Sequence, residues 1–227
     1  MPRTLDPQAH ALRRDEFVDA TQRLMQTKGF DEISVHDLLT HLGASKGAFY
    51  HYFASKSELL EAVVERIVDG AMGSVEPMLA DPRVPAPEKL NRLFAGITGW
   101  KNARRDLLLS LMEAWTSDEN GLVREKFRRL TGARLAPPLA EVIAQGVEEG
   151  RFSSSSPRHT ASVFVSLLLG LNERAVQLFV ARAAGEVTLD EIHLVFAAYV
   201  EGLERLLGAP PGSLAMVDDE TLRLWFA

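Results

Sequence analysis

The 227-residue chain has no cysteine, so it can hold no disulfide framework, no thiolate zinc or iron–sulfur site and no catalytic thiol. An excess of positive charge is also missing. Its 25 Lys plus Arg stand against 31 Asp plus Glu, a formal net charge of -6, which denies the molecule any general attraction for nucleic acid. Long apolar runs are absent as well: the longest, residues 161–171, contains Ser162, Ser166 and Gly170 and has roughly half the length a membrane span needs. No membrane partner is expected. Residues 1–8 are polar and no apolar stretch follows Arg3, which supports no secretory leader, so the expected location is the cytoplasm. The sequence shows no nucleophile elbow, Gly-rich phosphate loop or paired-His zinc spacing, and the carboxylate three residues before a histidine, Asp190 before His193, stands alone. Neither an enzyme, a metal site nor a cofactor is expected. What remains, at 46% hydrophobic and 25% charged, is the composition of an ordinary globular protein.

The apolar residues recur at spacings of three and four, and strict alternation is nowhere sustained, which predicts an all-α chain. A first helix is expected over 8–27, with Phe17, Ala20, Thr21, Leu24 and Met25 on one stripe and Gly29 ending it in the left-handed conformation. Ser34 offers its hydroxyl to the free N–H groups of a short helix, and Asp37 three residues on completes a variant of the capping box. That helix buries Val35, Leu38, Leu39 and Leu42 and stops at Gly43. Ser45 caps another short helix reaching Phe53, and Ser55 caps the next. Longer helices are expected over 55–79, 87–104, 105–116, 121–149, 157–184 and 189–207, which brings the total to about nine. Pro137-Pro138 is expected to kink or divide the helix that spans it. Beyond Pro210-Pro211-Gly212 lies a tail whose Leu222, Leu224, Trp225 and Phe226 are too apolar to stay undocked.

Two short helices joined by a tight glycine turn and preceded by a longer one are the components of a helix-turn-helix DNA reader. On a wheel of residues 46–53, Ala48, Phe49, Tyr52 and Phe53 share one half, while Lys46, Gly47, Tyr50 and His51 share the other. The second set has the chemistry DNA needs: an ammonium, a phenol, an imidazole, and a glycine that lets the backbone approach. Residues 38–57 contain no Asp or Glu. Residues 1–56 hold 7 basic and 7 acidic side chains and residues 57–227 hold 18 and 24, so the whole acidic excess lies outside the reading part.

The run Ser45-Lys46-Gly47-Ala48-Phe49-Tyr50-His51-Tyr52-Phe53-Ala54-Ser55-Lys56-Ser57-Glu58-Leu59-Leu60, with Gly29-Phe30-Asp31-Glu32-Ile33-Ser34-Val35 and Leu42-Gly43-Ala44 upstream, resembles the signature of the tetracycline-repressor (TetR) family. The likeness covers about residues 10–62 and implies a three-helix DNA-binding domain followed by a helical effector-binding and dimerising domain. The corresponding division is 1–54, 55–212 and a tail, 213–227. By the resemblance, Lys46 and Gly47 lie near base edges, Tyr50 and His51 at phosphate or base, Tyr52 and Lys56 at phosphates. Ser34 lends a hydroxyl or backbone N–H to a phosphate, and His36 occupies a position where relatives use a longer polar side chain. The implied partners are a double-stranded DNA operator, a small hydrophobic effector and a second copy of the chain.

Beyond residue 62 the likeness is architectural. Phe94, Trp100, Leu108, Met112, Trp115 and Phe127 concentrate large apolar groups where relatives enclose an effector, and the same residues read equally as core. Asn102, His159, Asn172, Glu173 and Arg174 are the polar groups that could orient a ligand. The helix over 157–184 is apolar nearly all round, and the one over 189–207 carries a sustained stripe. Phe164, Leu168, Leu171, Phe179, Ile192, Phe196, Tyr199 and Leu203 are therefore the expected homodimer residues. The resulting expectation is a dimeric, ligand-responsive DNA-binding transcriptional regulator, a repressor released from a palindromic operator. The alternative is a helical small-molecule or protein-binding dimer without DNA function.

Overall fold

The computed structural model describes residues 7–227; the readings made on residues 1–6, the absent leader and the start of the first domain, lie outside it. All regular structure among the described residues is helical. Helix α1 (Pro7–Leu24) ends in a turn, and a 3-10 turn, Phe30–Glu32, leads to α2 (Val35–Leu42) and α3 (Lys46–Tyr52). Gly29 is not the left-handed cap expected of it: at φ -58 and ψ 156 it is the extended residue that opens the 3-10 turn, and the end of α1 closes on its own carbonyls. Long helices follow, α4 (Lys56–Ala80) and α5 (Ala86–Asn102). The stretch expected as one helix over 105–116 is two, α6 (Arg105–Ser110) and α7 (Met112–Thr116). Then come α8 (Gly121–Glu148), α9 (Pro157–Ala183), α10 (Leu189–Leu207) and α11 (Asp219–Phe226).

Pro137 and Pro138 do not divide α8. Leu135, Leu139, Val142 and Ile143 form one fully buried seam across the prolines, and burial of such side chains, about 1.5–3 kcal/mol each, outweighs the lost backbone bonds. At the end of α8, Gly150 takes φ +67 and the chain folds back so that the N–H groups of Arg151 and Phe152 both reach the Gly146 carbonyl. Phe152 then lies over Gly146 so closely that a Cβ there would stand 2.0 Å from its ring.

The chain forms two compact units. The first ends at Val68 and also takes in Arg104–Phe127; the second comprises Asp69–Ala103 and Arg128–Ala227. In the first, Phe17, Leu38, Phe49, Phe53, Leu59 and Val63 make a core to which Leu111, Ala114 and Val123 contribute. In the second, Phe94 stacks on Phe164 with centroids 6.3 Å apart. The tail docks there: Leu222 and Phe226 are buried with Leu178 and Ile192, and Trp225 Nε1 donates to Asn102 Oδ1 at 2.7 Å.

Helix α9 buries Ala161, Phe164, Val165, Leu171 and Leu178 within the chain and leaves Val163 and Val180 open. By length and composition it is also long and apolar enough to cross a membrane, although only 22% of that window is buried. Its length agrees with the helix expected over 157–184, of which the near-continuous apolar run of residues 161–171 is only a part.

Candidate nucleic-acid interface

The helix pair is fixed at each end by the residues that the sequence places there. Ser34 Oγ accepts from the Asp37 backbone N–H at 3.1 Å, and the Asp37 carboxylate accepts from the Ser34 N–H at 2.7 Å. Lys28 Nζ donates to the same carboxylate at 2.9 Å. That hydrogen bond first, then those from Ser34, holds the Asp37 carboxyl well below the usual carboxylate range. Gly43 adopts φ 58, where a side chain would be strained, and the Ala44 N–H caps the Leu39 carbonyl. Ser45 Oγ then accepts from the Ala48 N–H at 3.2 Å to start α3.

Phe49 sets the rotation of α3. It is fully buried, edge-on to Phe17 at 5.7 Å and tilted against Phe53 at 5.8 Å. With that face pinned, Lys46, Gly47, Tyr50 and His51 all lie exposed, Tyr50 at 51%. Lys46 Nζ stands 5.9 Å from the Tyr50 ring centroid, so cation and phenol occupy one patch. A Cβ at Gly47 would meet only Ser45 Oγ at 3.9 Å, so nothing in the fold of the unit requires a glycine there. The four outward residues of the wheel are brought together.

The residues carried over by resemblance are placed less uniformly. Tyr52 is half-buried against Phe17 at 5.9 Å. The Ser34 hydroxyl also donates to Asp37 at 2.8 Å, so both of its phosphate-binding groups are engaged in the cap. Lys56 Nζ donates to the Asp31 carbonyl at 2.9 Å and lies 4.7 Å from the Phe30 ring centroid. Burial, above all, lowers its pKa. It thereby ties the start of α4 to the 3-10 turn. His36 is exposed on α2.

His10, which the sequence reading passed over, belongs to this region. Its ring lies 4.7 Å from Tyr52 and 5.4 Å from His51. The signal was its place two helical turns before Phe17, which puts both on one face of α1.

Of the expected effector residues, Leu108, Met112, Trp115 and Phe127 belong to the first unit and Phe94 and Trp100 to the second. Trp115 and Phe127 meet edge-on at 5.0 Å against the first core. The crevice there, lined by Leu60, Leu111, Trp115, Val123 and Arg124, has no space for even a water-sized sphere. Of the expected dimer residues, Phe164, Leu171, Ile192 and Leu203 are buried inside the single chain, while Leu168, Phe179, Phe196 and Tyr199 are half-buried. The open apolar side chains of the same two helices are Val163, Val180 and Leu194.

Residues 17–63 match the family model described as bacterial regulatory proteins, tetR family. The transcriptional regulator EthR of Mycolicibacterium smegmatis is 40% identical over 75 residues, 31% of this chain and 35% of that protein. The transcriptional repressor KstR2 of the same organism is 31% identical over 88 residues, 39% of this chain and 42% of that one. These two matches thus span under half of each relative. The uncharacterized regulator YfiR of Bacillus subtilis is 23% identical over 168 residues, 73% of this chain and 78% of it. Among solved structures, RolR bound to resorcinol shares the fold with a TM-score of 0.58 at 18% identity, over 96% of this chain and 95% of its own. A TetR transcription regulator from Haloarcula marismortui gives 0.59 at 22% identity, over 74% and 88%. With the reading helix built as above, residues 17–63 are similar to the DNA-binding region of tetR-family transcriptional regulators, and over the rest of the chain the likeness to the solved structures is one of fold.

Proposed function

We propose that the protein is a homodimeric repressor that holds a palindromic operator through α3 and releases it when a small hydrophobic effector binds. The outward arc of α3 carries this reading: Lys46, Gly47, Tyr50 and His51 stand open over a pinned aromatic face, in a stretch without carboxylates. Lys46 and Gly47 meet base edges, and Tyr50 and His51 meet bases or phosphates. Tyr52 reaches a phosphate from the rim and His36 a flanking base. Lys56 keeps donors beyond the one given to Asp31, and Ser34 acts mainly by fixing α2. The protein works in the cytoplasm, where its operator lies.

Two copies are required because reading helices about 34 to 36 Å apart meet successive major-groove turns. The open arcs of α9 and α10 supply the contact. Val163, Leu167 and Val180 on one helix and Leu194, Ala197 and Ala198 on the other are apolar and not buried in the single chain, as expected of a surface that a second copy covers. The effector site belongs to the residues after 55. Because α4 runs unbroken from Lys56 to Ala80, a ligand that favours one setting of this helix changes DNA affinity by the factor that DNA changes its own.

The test is selection of bound duplexes from a random pool with the full chain, followed by sedimentation and a screen of hydrophobic compounds for release. An inverted repeat is expected, bound about tenfold more weakly by Tyr50→Ala and by Lys46→Ala. A chain that binds compounds but selects no duplex is instead a helical binding dimer. A monomer at micromolar concentration rejects the two-fold arrangement.

A further inference from the structure

Helix α5 changes character along its length. Ala86, Lys89, Leu90, Leu93 and Phe94 are buried, whereas every residue from 95 to 102 keeps accessible surface, Ile97 and Trp100 included. Lys101 lies in this second stretch. Its ammonium donates to Asn172 Oδ1 on α9 at 3.0 Å, and burial alone pulls its pKa below the ordinary lysine value. The position is deep within the unit and yet open to solvent.

The other five lysines place this one in relief. Lys28 pairs with Asp37 and Lys126 with Glu61. Lys56 has the Asp31 carbonyl and the attraction of Asp31 and Asp37, and the buried Lys89 bonds Gln145 with Glu149 beside it. Lys46 stands exposed on the reading arc. Lys101 is half-buried with a neutral amide as its partner and, unlike Lys89, has no carboxylate beside it among the described residues. Buried charges are ordinarily paired, because an ammonium out of water without a counter-charge is costly. Three donors radiate from that nitrogen; Asn172 takes one and two are left to converge on an incoming oxygen pair.

The surroundings suit the body of such a ligand. One turn before Lys101 on its face of α5 is Ile97, and one turn before Asn172 on α9 is Leu168, both partly accessible. Trp100 lies against the backbone of α4 at Gly70, where a Cβ would stand 3.2 Å from the indole.

We propose that Lys101, oriented by Asn172, anchors the effector, and that the effector is a monocarboxylic acid with an apolar or aromatic body. This rests on the reading of the second unit as the effector-binding part. It requires that the acid bind far better than its uncharged amide. It also requires that binding raise the proton affinity of Lys101, so that any protons exchanged are taken up, not released.

Benzoate, phenylacetate, 3-phenylpropionate and octanoate, each beside its amide, are titrated into the full-length protein by calorimetry in two buffers of different ionisation enthalpy. At least one acid is expected to bind about tenfold more tightly than its amide, with any protons exchanged being taken up. Lys101→Met and Lys101→Gln are expected to abolish the preference, and Lys101→Arg to keep it, with circular dichroism unchanged in all three. No acid preferred over its amide, or a preference that survives in Lys101→Met, overturns the proposal. Duplex selection with wild type and Lys101→Met separates the two readings. A chain that selects DNA but shows no acid preference refutes only the anchor, whereas one that selects no DNA refutes the regulator while the acid series still reports on Lys101.

Discussion

The two units treat their apolar surface in opposite ways. Around α3 the core closes within one chain: Phe17, Phe49 and Phe53 are at most 1% exposed, and each short helix has its cap. Along α9 a helix apolar nearly all round buries one side and leaves the other open. A seven-residue helix gains little from its own hydrogen bonds, so it holds its shape only because packing and caps fix it. That rigidity is what a surface needs to present Lys46 and Tyr50 without an ordering cost on binding. A long helix needs no such closure and can spare a face for a second copy.

Phe49→Ala should break the closed side of this contrast most severely. A cavity between Phe17 and Phe53 is expected to cost about 3–5 kcal/mol, seen in hydrogen exchange as lost protection in α1 to α3 while α9 and α10 keep theirs. On the open side, Leu194→Arg should weaken self-association on the order of a hundredfold, since two like charges would meet across a two-fold axis. Sedimentation would show this with the helical signal of the chain intact; an unchanged dimer would move the interface elsewhere. Gly146→Ala probes the second unit from within. Displacing Phe152 from a site that leaves 2.0 Å for a Cβ should cost about 1–3 kcal/mol in a denaturant midpoint.

The smallest effect is expected at the α2 cap. The folded-state pKa of Asp37 is depressed, so its contribution is present at neutral pH and is lost as pH falls below the ordinary carboxylate value. Asp37→Asn should flatten the acid limb of stability between about pH 4 and pH 2. Because the pair with Lys28 is partly exposed, high salt should shrink the difference. An identical acid limb in the variant would show that the cap contributes nothing measurable.

Much of the reading head was legible because its determinants are local. Ser34 with Asp37, Gly43 and Ser45 each satisfy backbone groups within a few residues, and the period of 3.6 separates Phe49 from Tyr50. Gly29 was misread because a glycine at a helix end has two outcomes, and only the burial of Phe30 in the next turn selects the extended one. Lys56 was expected at a phosphate, and its bond to the Asp31 carbonyl, which joins residues 25 apart, has no local signal. Pro137-Pro138 failed as a breaker because packing of the seam around them outweighed propensity.

By itself, then, the sequence determined that the chain is helical, where α2 and α3 begin and end, and which side chains of α3 face outward, since caps and periodicity act within one or two turns. Only the tertiary structure decided which apolar residues belong to a core and which stay accessible. Residues of α7 and early α8 complete the first core, Phe164 and Ile192 turn inward where Val163 and Leu194 do not, and Lys101 is left beside an amide without a carboxylate. Those outcomes depend on contacts between residues far apart in the chain, and no local pattern encodes which of several apolar faces will find another.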